Sequence, residues 1–101
     1  MEMYPALPAA GQRRYQEICR SKHLSAGVYR LSPESADRQQ PHLEDEIYFV
    51  LAGRARFTSG DETVDVSPGT VLLVLAGEMH RFYDITEPLE VLVVFGPAEG
   101  S

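Results

Sequence analysis

The sequence predicts a single all-β domain, built either as a small antiparallel barrel or as a sandwich, with little helix. Val, Ile, Tyr, Phe and Thr cluster in short segments that Gly, Pro, Asp and Ser separate, which is typical of strands joined by turns. No segment carries a convincing apolar stripe at helical spacing. The 101 residues, 44% of them hydrophobic, are enough for one compact core and too few for a second domain.

Apolar segments bounded by turn-forming residues predict eight or nine strands. The candidate strands are residues 15–20, 24–31, 39–42, 46–51, 55–58, 62–66, 71–75, 80–84 and 90–95. Each break carries a residue that sets or permits turn geometry, as in Ala52-Gly53 and Glu87-Pro88. We therefore expect one domain spanning residues 1–101, with its core at about 15–96 and with residues 1–11 and 97–101 as tails.

Residues 54–66 are the clearest hairpin in the chain. Two alternating runs flank Ser59-Gly60-Asp61, and Gly60 can adopt the positive φ that a tight turn requires. Both strands of this hairpin are expected to have one face in water.

Composition limits the compartment and the partners. The lone cysteine, Cys19, rules out an internal disulfide, and the longest uncharged apolar run is far shorter than the ~20 residues of a membrane-spanning helix. We expect a cytoplasmic protein without membrane contact. The net charge of -6 would repel nucleic acid, which we exclude as a partner.

A histidine ahead of an acidic run raises the question of a metal site. In one unbroken strand, His42 and Glu46 would lie ~13 Å apart, too far to share an ion whose ligands lie ~2.0–2.2 Å away. A turn at Leu43-Glu44-Asp45 would instead place them on facing antiparallel strands, with Cβ atoms ~5 Å apart. Gln40 would then point to the same side as His42.

His80 opens another candidate strand and is expected to point inward at a barrel mouth. Two imidazoles and one carboxylate brought together from strand ends would form a metal triad of His42, Glu46 and His80. A second interpretation stays open, in which His42 is an exposed turn residue, residues 44–46 are a solvated acidic tip and His80 is a core histidine.

The chain resembles the cupin superfamily, whose first motif is G-x5-H-x-H-x3/4-E-x6-G. Gln40, His42, Glu46 and Gly53 reproduce the latter part of this motif with its spacing. Only Gln40, in place of the first His, changes a ligand position.

The second cupin motif, G-x5-P-x-G-x2-H-x3-N, follows in the correct order. Gly69, Gly77 and His80 keep its register, while Leu75 replaces the Pro and Asp84 replaces the Asn. The resemblance extends from about residue 24 to residue 97 and implies a small antiparallel β-barrel of the jelly-roll type.

The resemblance implies one divalent transition metal, Fe, Mn, Zn, Ni or Co, held by Gln40, His42, Glu46 and His80. We expect a metal-dependent enzyme acting on a small organic molecule, first a dioxygenase and next an isomerase or lyase. The alternative is a non-catalytic cupin module that binds or senses a small ligand.

Alternation along the strands adds pocket candidates to this set. Tyr48 and Phe82 share the ligand-bearing face and are either pocket walls or barrel core. Asp84 is either a partner of a ligand or an exposed strand end, and His23 is expected to be a surface residue. Apolar residues on the opposite face of the strand that carries Glu46, together with the resemblance, predict a homodimer.

Overall fold

A computed structural model of the chain describes residues 1–9, 14–37 and 42–100, and these contain six strands and no helix. The all-β antiparallel fold class is confirmed. The strands are β1 (Tyr15–Arg20), β2 (Ser25–Leu31), β3 (Asp45–Ser59), β4 (Glu62–Val66), β5 (Val71–Val74) and β6 (His80–Gly96). The described part of the chain contains no helix that is long and apolar enough to cross a bilayer.

All six strands belong to one antiparallel sheet with the order β1-β2-β6-β3-β4, in which β5 also pairs with β3. The long strand β3 lies between β6 on one side and β5 followed by β4 on the other. Among the described residues this sheet curls around a core without closing into a continuous hydrogen-bonded barrel. The predicted hairpin is confirmed, since Ala55 pairs with Val66 and Ser59 with Glu62 around Gly60 at φ 58°.

The predicted number of strands was too high because two predicted breaks are bends inside strands. Segments 46–51 and 55–58 join in β3, and segments 80–84 and 90–95 join in β6. Gly53, at φ 94°, lies where the β3·β6 register shifts between Val50 and Arg56, so the pairing continues through a series of bulges. Ala52-Gly53 therefore marks a corner of the sheet and not a turn between separate strands.

The predicted strand 39–42 falls largely outside the described residues. His42 is described and lies in the loop before β3, with bends at Leu43 and Glu44. Strands β2 and β5 are each one residue shorter than predicted, beginning at Ser25 and ending at Val74.

The bend in β3 and β6 determines the shape of the molecule. Glu46 pairs with Phe95 at one end of the β3·β6 ladder, and Ser59 pairs with His80 at the other end. A straight strand from Glu46 to Ser59 would extend ~43 Å at ~3.3 Å per residue, which exceeds the longest dimension of the protein, 37 Å. The ladder therefore folds over on itself, and its inner face encloses the core.

The core consists of inward-facing apolar residues from β2, β3, β4, β5 and β6. Side chains alternate between buried and exposed along most of β3, as expected for a strand with one face against a core. The buried cluster includes Leu31, Val50, Phe57, Val66, Val74, Phe82, Ile85, Leu89, Val91, Val93 and Phe95.

The two termini behave differently from each other. Residues 1–7 are exposed, whereas Ala98, in the segment predicted to be a C-terminal tail, is 1% exposed. The backbone N–H of Glu99 donates to Ser25 Oγ at 2.9 Å, and the N–H of Gly100 donates to Glu44 Oε2 at 3.2 Å. The C-terminal segment thus lies across one end of the sheet, against the loop that carries His42.

Candidate metal centre

Glu46 is the most deeply buried acidic residue of the site. It is the second residue of β3, points to the inner face and is 2% exposed. A buried carboxylate is retained only where hydrogen bonds or positive charge compensate its lost hydration. Glu46 therefore requires the partners that the folded ladder brings to it.

His80 is the first of these partners. Its ring nitrogen Nε2 lies 3.1 Å from Glu46 Oε2, although the two residues belong to opposite ends of the β3·β6 ladder. Its Nδ1 lies 2.9 Å from the backbone carbonyl of Glu78, which can only accept, so Nδ1 carries the hydrogen. This bond orients the ring and leaves Nε2 as the nitrogen that faces the site.

The pKa of His80 is raised above its ordinary value in this metal-free geometry. Burial by itself lowers it, but the hydrogen bonds to Glu46 and to the Glu78 carbonyl, together with the charge of Glu46, outweigh that effect. The site thus attracts positive charge at the Nε2 position.

His42 approaches from the loop before β3 and is less enclosed. Its Nε2 lies 3.8 Å from Glu46 Oε1, and its ring packs edge-on against Phe95 with centroids 5.3 Å apart. Its other nitrogen, Nδ1, lies 3.7 Å from Glu44 Oε1 and 3.9 Å from Glu99 Oε2. Its side chain is 27% exposed, so this edge of the site opens towards solvent.

His42, Glu46 and His80 each offer one ligand atom, and these atoms all lie within 4.8 Å of one another. Ligand atoms ~2.0–2.2 Å from a shared ion are at most ~4.4 Å apart, so sub-ångström side-chain movement suffices to accommodate one. Two imidazoles and a carboxylate suit Zn, Mn, Fe, Co or Ni. Gln40, the fourth predicted ligand, lies outside the described residues.

Tyr48 brings a hydroxyl group to the same position. Its oxygen lies 3.0 Å from His80 Nε2 and 3.3 and 3.4 Å from the two oxygens of Glu46. The side chain is 1% exposed and packs against Phe57 and Phe82. The residue predicted as a pocket wall or core is thus part of the hydrogen-bonded cluster.

The other two pocket candidates differ from each other in burial. Phe82 is buried beneath Tyr48, with ring centroids 5.3 Å apart. Asp84 is exposed and adopts φ 48°, so it departs from the alternation on which its assignment rested. It lines a surface cleft with Asp37 and Arg81.

No sequence motif marks Glu44, Glu99 or Tyr15 as a site residue. Glu44 belongs to the acidic run of residues 44–46, and Glu99 belongs to the segment that the sequence predicts to be a tail. The pKa of the Glu99 carboxyl is raised, mainly by burial. His42 opposes this rise, and the neighbouring carboxylates reinforce it. No spacing in the sequence connects Glu99 to His42, because their contact depends on how the C-terminal segment folds back.

Comparisons with known proteins agree with this architecture. Residues 27–95 match the family model of the cupin domain, Cupin_2. A protein of Streptomyces coelicolor, itself uncharacterised, is 46% identical over 91 residues, which cover 90% of this chain and 87% of that protein.

Solved structures extend the comparison. A Thermus thermophilus protein superimposes with a TM-score of 0.75 and 25% identity, covering 91% of both chains. The structure of a DMSP lyase from Ruegeria pomeroyi gives a TM-score of 0.73 and 26% identity, over 82% of this chain but 47% of the lyase.

Proposed function

This chain belongs to the cupin family, and from that premise we propose that it binds one divalent transition metal and converts a small organic molecule as a lyase or isomerase. The observation that carries the proposal is the convergence of His42, Glu46 and His80 beside the hydroxyl of Tyr48. The similarity to a DMSP lyase supports the same reaction class. A dioxygenase is the second candidate, because two histidines and one carboxylate are also the ligand set of non-haem Fe(II) oxygenases.

The ligand set fits a metal ion for a chemical reason. The Nδ1–H of His80 donates to the Glu78 carbonyl, which leaves Nε2 as the nitrogen that can face an ion. Glu46 supplies one negative charge, and its Oε2 lies 3.1 Å from this Nε2. When bound, a divalent ion with these neutral and singly charged ligands keeps net positive charge and polarises a carbonyl or carboxylate oxygen.

The residues of the chain supply orientation and proton transfer. Tyr48 lies within hydrogen-bonding distance of both Glu46 and His80, so its hydroxyl can hold or release a proton at the inner edge of the site. Phe57 and Phe82 pack around its ring and exclude water from that side. A lyase or isomerase that acts by proton abstraction needs such a proton carrier.

Metal analysis tests the proposal directly. Protein purified without a histidine tag is expected to hold near-stoichiometric Fe, Mn, Ni, Co or Zn, and His42→Ala and His80→Ala are expected to lose it. His23→Ala is the matched control, since His23 is exposed and lies outside the cluster. Folded metal-free protein that refuses all five ions would refute the proposal.

Two measurements distinguish an enzyme from a module that binds its ligand without turnover. Consumption of a candidate substrate by metal-loaded protein, lost in Tyr48→Phe with the metal retained, would support the enzyme. A ligand that raises the melting temperature and is recovered unchanged would support the sensor module instead.

We also propose that two copies associate through the outer face of β3 and β5. Ile47 pairs with Leu73 and Phe49 pairs with Val71, and all four side chains are exposed on this face. Such a contiguous apolar patch marks an interaction surface. Light scattering is expected to give a dimer that Leu73→Arg dissociates and that Leu24→Arg, an exposed position near Gly96, leaves intact.

A further inference from the structure

The phenol ring of Tyr15 extends from β1 across the neighbouring strand β2, at a position where Gly27 has no side chain. Tyr15 pairs with Tyr29, and its ring lies over Gly27 of β2. A Cβ atom at Gly27 would overlap the Tyr15 hydroxyl and the ring carbon that bears it. Gly27 therefore provides the space that lets this ring extend across β2.

The Tyr15 hydroxyl has no hydrogen-bond partner among the described residues, although its oxygen is buried. The other hydroxyls on the inner face do have partners: Tyr29 donates to Asp37 Oδ1 at 2.8 Å, and Tyr48 contacts Glu46 and His80. A buried hydroxyl without a partner costs free energy comparable to a lost hydrogen bond, so one that persists calls for an explanation.

Tyr15 is connected to the metal centre through one aromatic residue. Its ring meets Phe95 edge-on with centroids 6.1 Å apart, and Phe95 in turn contacts the ring of His42 at 5.3 Å. Burial raises the pKa of Tyr15 above its usual value, the charges of Glu99 and Glu17 reinforce the rise, and Arg20 opposes it. The hydroxyl is therefore a neutral O–H donor at neutral pH.

We propose that the Tyr15 hydroxyl donates a hydrogen bond to an oxygen of the small molecule that binds at the metal centre. This inference rests on the proposed function and specifies its ligand class: an organic molecule with one oxygen for the ion and a second carbonyl or carboxylate oxygen for Tyr15. Tyr15 thereby discriminates against molecules that lack the second acceptor.

The test compares Tyr15→Phe with Tyr83→Phe in protein loaded with Co(II). Tyr83 is the control because its ring faces the guanidinium groups of Arg56 and Arg81. The probes are oxalate, malonate and succinate, which place a second carboxylate at increasing distance from the first. Calorimetric titration is expected to show at least one of them binding about tenfold more weakly to Tyr15→Phe, and unchanged binding to Tyr83→Phe.

Metal content and thermal unfolding separate this inference from the proposed function. Tyr15→Phe is expected to keep its Co(II) and, without the probes, to melt at the same temperature as the parent protein or higher, because it removes a hydroxyl that has no partner in the described part of the chain. The inference is overturned if all three probes bind Tyr15→Phe as they bind the parent. It is also overturned if the loaded parent binds none, or if Tyr15→Phe melts lower. Failure of the parent to take up metal would refute the proposed function instead.

Discussion

The two halves of the metal centre are held by different parts of the molecule. Glu46, Tyr48 and His80 lie on β3 and β6, are at most 5% exposed and are fixed by the folded ladder. His42 lies in a loop, is partly exposed and is positioned by contacts with Phe95, Glu44 and the C-terminal segment. The strand half is therefore coupled to global stability, whereas the loop half can adjust without unfolding the domain.

The largest expected effect comes from breaking the bend that creates the strand half. In Gly53→Ala, the new Cβ atom would overlap the Pro88 carbonyl oxygen and lie 2.7 Å from Leu89 Cα, at a backbone φ of 94°. Strain and overpacking together should cost about 3 kcal/mol. Urea unfolding measures this loss, and metal uptake should fall with it.

Gly60→Ala is the matched control for this substitution. Gly60 also has positive φ, 58°, but nothing lies within 4 Å of an added Cβ. The expected loss is about 1 kcal/mol, from backbone strain alone. Equal losses in the two variants would show that close packing at the bend does not position the ladder.

The second comparison removes one imidazole from each half. In metal-free protein, His80→Ala leaves the buried carboxylate of Glu46 without its closest nitrogen partner and should cost about 2–3 kcal/mol. His42→Ala removes contacts of 3.7–3.9 Å with three carboxylates and the edge-on ring contact with Phe95, and should cost about 1 kcal/mol. Denaturant unfolding in the presence of a chelator would contradict the division into halves if both variants lost equal stability.

A third test measures how the free energy of unfolding of the metal-free protein depends on pH. Because the pKa of His80 is raised in the folded state, its protonation stabilises the fold fully below its unfolded pKa of about 6.5. This contribution is lost as the pH rises through the folded pKa. The free energy of unfolding of the parent should therefore fall more steeply over this range than that of His80→Gln, and parallel profiles would contradict the assigned role of His80.

The smallest expected effect concerns the loop half. Glu99→Gln removes a carboxylate 3.9 Å from His42 Nδ1 but keeps the backbone bonds of the C-terminal segment. Metal affinity should change by no more than about fivefold, or roughly 1 kcal/mol, with unfolding unaffected. Glu2→Gln, at the exposed N-terminus, is the control for charge alone, and a Glu99→Gln variant that cannot hold metal would place Glu99 among the essential residues.

Residue alternation explains why much of the fold was predictable. Two strands, at residues 15–20 and 62–66, have the predicted bounds. Ala52-Gly53 and Glu87-Pro88 misled the prediction because glycine and proline serve turns and bulged corners equally well. Only the paired strand decides between these outcomes, and pairing is a long-range property.

The same distinction applies to the site. The spacing of His42, Glu46 and His80 indicated shared ligation through family motifs, and the structure brings these three residues together. Alternation placed Tyr48 on the ligand-bearing face but did not predict that its hydroxyl contacts Glu46 and His80. Spacing also did not predict that the Tyr15 oxygen lacks a partner among the described residues. Their roles depend on distances across strands, and the position of Tyr15 depends on the absence of a side chain at Gly27.

The alternation of β3 also links ion uptake to correct assembly of the sheet. A slip of one residue would turn Glu46 and Tyr48 outward and bring Ile47 and Phe49 into the interior. A misaligned chain would then lack the carboxylate that the ion needs, so only the native alignment would gain binding energy from it. By mass action, the ion would select the correctly registered sheet during folding, before any chemistry takes place.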